Sequence, residues 1–231
     1  MSHAALDLEA GVRGVFVKLA ALEVIDLVAS STYDFAVVDL EHSQLDEGAA
    51  LRLVRHAAAT GLPALVRLPE VDRGLVNRLL EAGAVGIQLS TVRRVDQVTE
   101  LRSACRYAPR GNRSISLAHP LADYGGRPLA EYVADQGDGP LLVIQIETAT
   151  TEDSLDDIVA AGPDVVFVGV TDLTVDLEFS RSRLADRIAE IATLAERHGV
   201  PLGGFGIDDP RLRYDVSGSD VGLLRRAMMA A

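Results

Sequence analysis

Seven short apolar runs punctuate the 231-residue chain, and each gives way to polar residues before the next begins. They are "GVFVKL" (14–19), "FAVVDL" (35–40), "PALVRL" (63–68), "VGIQLS" (85–90), "LLVIQIE" (141–147), "DVVFVGV" (164–170) and "VPLGGFG" (200–206). Between them, "EGAALRLVRHAAATG", "DRGLVNRLLEAGA", "VDQVTELRSACRYA" and "SRLADRIAEIATLAERHG" carry apolar residues at three- and four-residue spacing and often close on Gly, which is the pattern of amphipathic helices. Strands that are apolar throughout must be buried on both faces, so the alternation calls for a parallel sheet covered by helices. With this many repeats the expected fold is α/β, a TIM (β/α)8 barrel of parallel strands with its site at the C-terminal face. The tail "RYDVSGSDVGLLRRAMMAA" (213–231) offers only a weak eighth strand, "YDV", after a truncated connection.

No linker or low-complexity tract divides the sequence, and 48% hydrophobic residues suffice for one large core, so residues 1–231 are expected to form a single barrel domain. Segment 108–140, rich in Gly, Pro and polar residues, is a long insertion of the kind that usually serves function. The net charge of -12 repels nucleic-acid phosphates and anionic lipid, which argues against both as partners. No basic stretch leads into an apolar signal core and no apolar run is long enough to span a bilayer, so a cytoplasmic location is expected. Cys105 is the lone cysteine and reads as a small buried hydrophobe. Of the 22 basic residues only Lys18 is a lysine, so it is the one side chain that could serve Schiff-base chemistry.

In a barrel the C-terminal strand ends converge on one face, and the polar residues stationed there build the site. Those residues are Asp39, Glu41 and His42; Arg67; Gln88 and Ser90; Gln145 and Glu147; Thr171 and Asp172. Gln145 and Glu147 are two apart and share one side of their strand. Glu147 and Asp172 are one βα unit apart, which puts their carboxylates on adjacent strand ends. Such a pair, completed by water, suits a hard divalent cation such as magnesium or manganese. The plainer alternatives stay open at this level: Asp172 as a helix N-cap, His42 as a hydrogen-bonded loop histidine, Arg67 as a surface ion pair. His3, His56, His119 and His198 have weaker contexts, and His56 and His198 read as solvated helix residues.

The stretches "DFAVVDLEHSQLD", "LVRL", "LLEAGAVGIQLSTV", "RYAPRGNR", "VIQIETATTEDSLDDI" and "VFVGVTDLTVDL" resemble, in order, the class II pyruvate aldolases of the 4-hydroxy-2-oxoheptanedioate aldolase family. That family is related to 2-dehydro-3-deoxyglucarate aldolase and, more distantly, to citrate lyase beta subunits. The resemblance implies a metal-dependent barrel that cleaves 4-hydroxy-2-oxo acids to pyruvate and an aldehyde, with magnesium, manganese or cobalt on Glu147 and Asp172. It also implies an acid/base role for His42 supported by carboxylates at Asp39 and Glu81, and a grip of Arg67 on the pyruvyl oxygens. Gln145 would line the site, the backbone at Thr171 and Asp172 would receive the pyruvate carboxylate, and the protein would be a homo-oligomer, a hexamer or trimer of dimers. The chain departs from the family pattern at Ser90 and Val170, where Pro is usual, at Ser114, where Gly is usual, and at Glu81, where Asp is common; these changes are expected near the mouth. Alternative chemistries are a citramalyl- or malyl-CoA-type lyase, a decarboxylase using the same enolate, or a catalytically inactive metabolite-binding homologue.

Overall fold

Most strands of this protein have two buried faces, which is why their residues are apolar at nearly every position. The computed structural model describes residues 6–137 and 139–230; His3 lies outside them. The strands are β1 (Val12–Val17), β2 (Phe35–Asp39), β3 (Ala64–Leu68), β4 (Gly86–Leu89), β5 (Leu141–Ile146), β6 (Val165–Val168), β7 (Leu202–Gly204) and β8 (Leu212–Ser219). They close into an all-parallel barrel in chain order, β8 pairing with β1. The helices are α1 (Leu22–Ala29), α2 (Glu47–Thr60), α3 (Arg73–Ala82), α4 (Val95–Cys105), α5 (Leu129–Asp135), α6 (Leu155–Ala160), α7 (Val170–Asp176), α8 (Arg181–Arg197) and α9 (Asp220–Met229). Among the described residues no helix is long and apolar enough to cross a membrane.

Local chemistry sets the helix ends. Asp46 and Asp72 cap α2 and α3 by accepting from the backbone N–H groups of Ala49 and Leu75. Both helices stop at glycines, Gly61 and Gly83, in the left-handed conformation.

Alternation along each strand sorts the core into two parts. Ala36, Val38, Val66, Ile87, Leu89, Ile144, Val166 and Val168 face outward into one cluster with the helices. Phe16, Phe35, Val37, Leu65, Val143, Phe167, Tyr214 and Val216 fill the barrel interior. The Phe35 and Tyr214 rings lie 4.5 Å apart, and Tyr214 meets Phe167 edge-on at 6.1 Å. Gly14 makes room for this stack, because a Cβ there would stand 2.3 Å from the Phe35 ring. The interior column continues toward the C-terminal end as Asp39 on β2, Arg67 on β3, Gln88 on β4 and Gln145 on β5, so the inward pleat that buries the aromatics also delivers the polar groups.

Two expectations change. The eighth strand is the longest, eight residues, and joins β7 to β1. It reads weakly because residues 205–211 connect β7 to β8 without a helix. Its outer face therefore keeps polar residues, among them Ser217, which accepts from Arg13 Nε at 2.7 Å. The insertion after α4 wraps the outside of the barrel rather than the mouth. Arg73 Nη2, at the start of α3, donates to Asn112 O and to Ser114 Oγ, the latter at 3.2 Å. His56 and His198 also differ from expectation: each lies 2.6 Å from a carboxylate on a neighbouring helix, Asp26 and Asp156 respectively, so both act as helix-to-helix ties. Cys105 is buried as expected, and burial pushes its thiol up to about 12.

Phe35→Ala should lower unfolding free energy by about 3–5 kcal/mol, because the ring is fully buried and its neighbours are held by strand backbone. Urea denaturation followed by far-ultraviolet circular dichroism checks it, and a loss under ~1 kcal/mol would contradict this account of the interior stack.

Candidate active site

A fully buried carboxylate organises one half of the C-terminal mouth. Asp39 ends β2 with no exposed surface. Arg67 grips it with two parallel bonds, Nε to Oδ1 at 2.8 Å and Nη2 to Oδ2 at 2.6 Å. Lys18, following β1, places Nζ 2.9 Å from Oδ2 and donates to His42 O at 3.1 Å. The backbone N–H groups of Glu41 and His42 donate to Oδ1 at 3.1 and 3.2 Å, which folds the loop after β2 back over the strand end. Burial alone would raise the pKa of this carboxyl, but Arg67 and then Lys18 hold it well below the usual carboxylate range. Arg67 also lies 4.4 Å above the Phe16 ring and 3.3 Å from Glu41, so its plane is fixed.

The other half is acidic. Glu147, just past β5, accepts from Thr91 N–H at 2.8 Å, from Thr91 Oγ1 at 2.5 Å and from Gln145 Nε2. All three donors are neutral. Burial raises the pKa of Glu147; Thr91 and Gln145 oppose the rise, and the charges of Glu41 and Asp172 add to it. Among the described residues neither Glu147 nor Asp172 forms an ion pair with a cationic side chain. Gly169 is required beside them, since a Cβ there would lie 2.4 Å from Glu147 Oε2. Thr91 holds φ at 48°, a left-handed conformation that β-branched residues avoid and that costs about 1–3 kcal/mol. Its two bonds to Glu147 offset that cost.

Two adjoining cavities open here. One, of about 440 Å³, is lined by Lys18, His42, Arg67, Gln145, Thr171 and Asp172 together with Phe16, Phe167 and Phe205. The other, of about 320 Å³, is lined by Glu41, His42, Thr91, Glu147 and Asp172. His42 and Asp172 border both. The His42 side chain is 56% exposed, with Nε2 3.6 Å from Glu41 Oε2. Among the described residues no group of three or more His, Cys, Asp and Glu side chains forms a cage able to hold a metal by itself. The donor set is therefore a carboxylate pair, whose crowding and shortage of positive charge fit a hard cation that completes its sphere with water or substrate oxygen.

Most of the residues expected at the strand ends are brought together, with differences. Asp172 and Thr171 sit in the first turn of α7 rather than at a strand end, and the N-cap there is Gly169, so Asp172 is not a cap. Asp39 lies beneath Arg67 and Lys18 and borders neither cavity, which makes it a positioning group. Glu81 is not brought to this face: it occupies the last turn of α3, which runs back toward the N-terminal strand ends, near Arg78 and Tyr107. Of the departures from the family pattern, Ser90 and Val170 belong to the mouth, Ser90 by donating to Glu41 at 2.6 Å. Ser114 does not, lying instead against Arg73. Thr91 was not anticipated, and only its place after a strand end hinted at a role.

A closed parallel barrel whose mouth joins a fixed guanidinium, an exposed imidazole and a carboxylate pair defines an enzyme for a small, oxygen-rich anion. The chain belongs to the HpcH/HpaI aldolase/citrate lyase family, whose model matches residues 13–204, and so to the carbon–carbon lyases. It is 29% identical to the hydroxypyruvate/pyruvate aldolase of Paraburkholderia phytofirmans over 94% of this chain and 90% of that protein. It is 30% identical to the 2-keto-3-deoxy-L-rhamnonate aldolase of Shigella boydii serotype 4, over 67% of this chain and 58% of that one. The crystal structure of the HpcH/HpaI aldolase from Desulfitobacterium hafniense DCB-2 superposes with a TM-score of 0.87 at 26% identity, covering 96% and 92% of the two chains.

Asp39→Asn should cost about 3–5 kcal/mol at neutral pH, since it leaves Arg67 and Lys18 facing a neutral amide. A depressed folded-state pKa contributes stability that is complete above the unfolded value of about 4 and is lost as pH falls through the folded one. The gap between wild type and variant should therefore narrow below about pH 4. Denaturation curves at pH 7 and pH 3 measure it, and a gap that widens in acid would refute this assignment.

Proposed function

We propose that this protein is a divalent-metal-dependent aldolase that reversibly cleaves a 4-hydroxy-2-oxo acid to pyruvate and an aldehyde. The observation that carries the reading is the crowding of Glu147 and Asp172 on a cavity that no lysine or arginine lines, adjoining the cavity that holds Arg67. These two carboxylates would hold magnesium or manganese, with cobalt as a further candidate. When bound, such a cation polarises the 2-oxo group and stabilises enolate charge.

The chain's own groups supply the rest. The first-turn amides of α7 at Thr171 and Asp172 receive the substrate carboxylate, and Gln145 borders the same cavity. Arg67, held flat by Asp39 and Phe16, directs its remaining N–H edge at the oxygen that becomes negative as the C3–C4 bond breaks. His42 removes the 4-hydroxyl proton as the aldehyde carbonyl forms, and Glu41 supplies the counter-charge to the imidazolium. Returning a proton to C3 of the enolate gives pyruvate. Phe205 and Val170 line the same cavity and Ser90 anchors Glu41 at its edge, so these residues would bear on which aldehyde is accepted.

We also read the chain as a cytoplasmic homo-oligomer, hexamer or trimer of dimers. Support for association comes from the exposed apolar residues Leu224, Met228 and Met229 on α9.

Assayed against a panel of 4-hydroxy-2-oxo acids, the protein should release pyruvate, lose the activity to a chelator and regain it on adding metal. Glu147→Gln and Asp172→Asn should each lose stoichiometric metal while melting no lower than the metal-free wild type, because each removes one of several crowded negative charges. Elemental analysis that finds full metal occupancy in both variants would sink the assignment.

The lone lysine separates this chemistry from a Schiff-base mechanism. Lys18 Nζ is occupied as a donor to Asp39 and His42 O, so borohydride with pyruvate should trap no adduct, and Lys18→Arg should keep most of the activity. A pyruvyl mass increment on Lys18, with turnover that survives chelation, would overturn the metal reading.

A further inference from the structure

A third cavity, of about 480 Å³, lies on the flank of the barrel between α3 and the 108–140 insertion. Val85 and Pro140, which precede β4 and β5, place it at the N-terminal end of the barrel, away from the mouth. Leu80, Ala84, Val85, Leu121 and Pro140 give it an apolar side, and Arg113, Arg127, Asp135 and Gln136 line the rest.

Arg113 is 6% exposed, and its Nη2 has no hydrogen-bond partner. Its guanidinium is held in place by the Tyr107 ring at 4.7 Å and by a long bond from Nε to Asn77 Oδ1 at 3.4 Å. Tyr107 in turn packs against Tyr132, and Tyr132 against His119, whose Nε2 lies 3.0 Å from Ser116 O. The other arginines here are balanced by carboxylates: Arg127 by Asp135, and Arg106 by Asp164 at 3.5 Å. Arg113 forms no ion pair among the described residues.

A buried and immobilised charge with no counter-ion is unfavourable, whereas a planar guanidinium is built to take a carboxylate. We propose that this flank cavity is a binding site for a small organic carboxylate, its carboxyl on Arg113 and its apolar body against Leu80, Ala84, Val85 and Leu121. Water in the cavity would leave the guanidinium charge unbalanced and gain nothing from the apolar side. Inorganic phosphate would satisfy the charge while leaving that side empty. The cavity volume suits a ligand of metabolite size. Neither α7 nor any residue of the mouth takes part, so the site is independent of the aldolase reading.

Titration calorimetry with benzoate and, separately, with inorganic phosphate tests the proposal on the intact protein. Benzoate should bind wild type, phosphate should bind more weakly, and Arg113→Gln should weaken benzoate roughly 10- to 100-fold. Leu121→Trp, which fills the cavity from its apolar side, should weaken it similarly and keeps the test valid if Arg113→Gln folds poorly. Absence of benzoate binding to wild type at roughly 10 mM would overturn the site. So would unchanged affinity in a folded Arg113→Gln and in Leu121→Trp, because the benzoate would then be elsewhere. Phosphate binding as tight as benzoate, and equally dependent on Arg113, would overturn the carboxylate assignment.

Discussion

The mouth of this barrel depends on one buried carboxylate. Asp39 takes Arg67 in a bidentate pair, draws Lys18 across from β1 and collects the N–H groups of Glu41 and His42. One group thus ties three adjacent strand ends and the loop that carries the imidazole. An ion of this kind is expensive to desolvate, and the pairing returns the cost only when every oxygen is satisfied, as here. What it provides beyond stability is orientation. With Nε and Nη2 committed to Asp39 and Nη1 3.3 Å from Glu41, Arg67 is held from both sides, and the Phe16 ring sets its plane. Under the proposed mechanism, the residue that meets the developing oxyanion is thus positioned before any substrate arrives, which is the condition for electrostatic catalysis.

The opposite wall works by withholding compensation. Glu147 has only neutral donors and lies in the field of Asp172 and Glu41, so the resting site carries repulsion that a cation would relieve. The backbone has been shaped to keep it so: Thr91 accepts an unfavourable conformation to donate twice to Glu147, and Gly169 leaves the space its carboxylate occupies. Ser90 adds a hydroxyl that anchors Glu41, a contact that proline could not make. Stability is given up on this wall and recovered around Asp39, and the two walls meet at His42 and Asp172.

Outside the barrel, the 108–140 insertion is ordered by aromatic and cationic stacking rather than by strand pairing. Its glycines, prolines and polar residues read in the sequence as a functional loop, and Ser114 within it was expected near the mouth. The structure moves it to the flank because it leaves the C-terminal end of α4, and connections from helix to strand in a (β/α)8 barrel emerge at the N-terminal end. The same geometry removes Glu81 from the company of His42. Both misplacements have one origin: proximity in sequence to a strand does not say which end of the strand a residue reaches.

The sequence by itself determined the strands, the four helices with clear periodicity, the barrel and the residue types on its catalytic end. Those features depend on local periods of 2 and 3.6 and on turn chemistry, which neighbours in the chain suffice to specify. It also determined that Gln145 and Glu147 share a face, since the pleat alone decides that. The tertiary structure decided what depends on closure. The register of each strand pair brings Asp39 beside Arg67 and Arg67 beside Gln88. Pairing of β8 with both β7 and β1 makes a strand of a stretch whose outer residues are polar for want of a covering helix. Thr91 beneath Glu147, Asp26 on His56 and the unbalanced charge of Arg113 are contacts across 56 or 30 residues, or the lack of one, and no local pattern encodes them. They exist because a closed barrel confronts each helix and loop with partners that only the completed fold supplies.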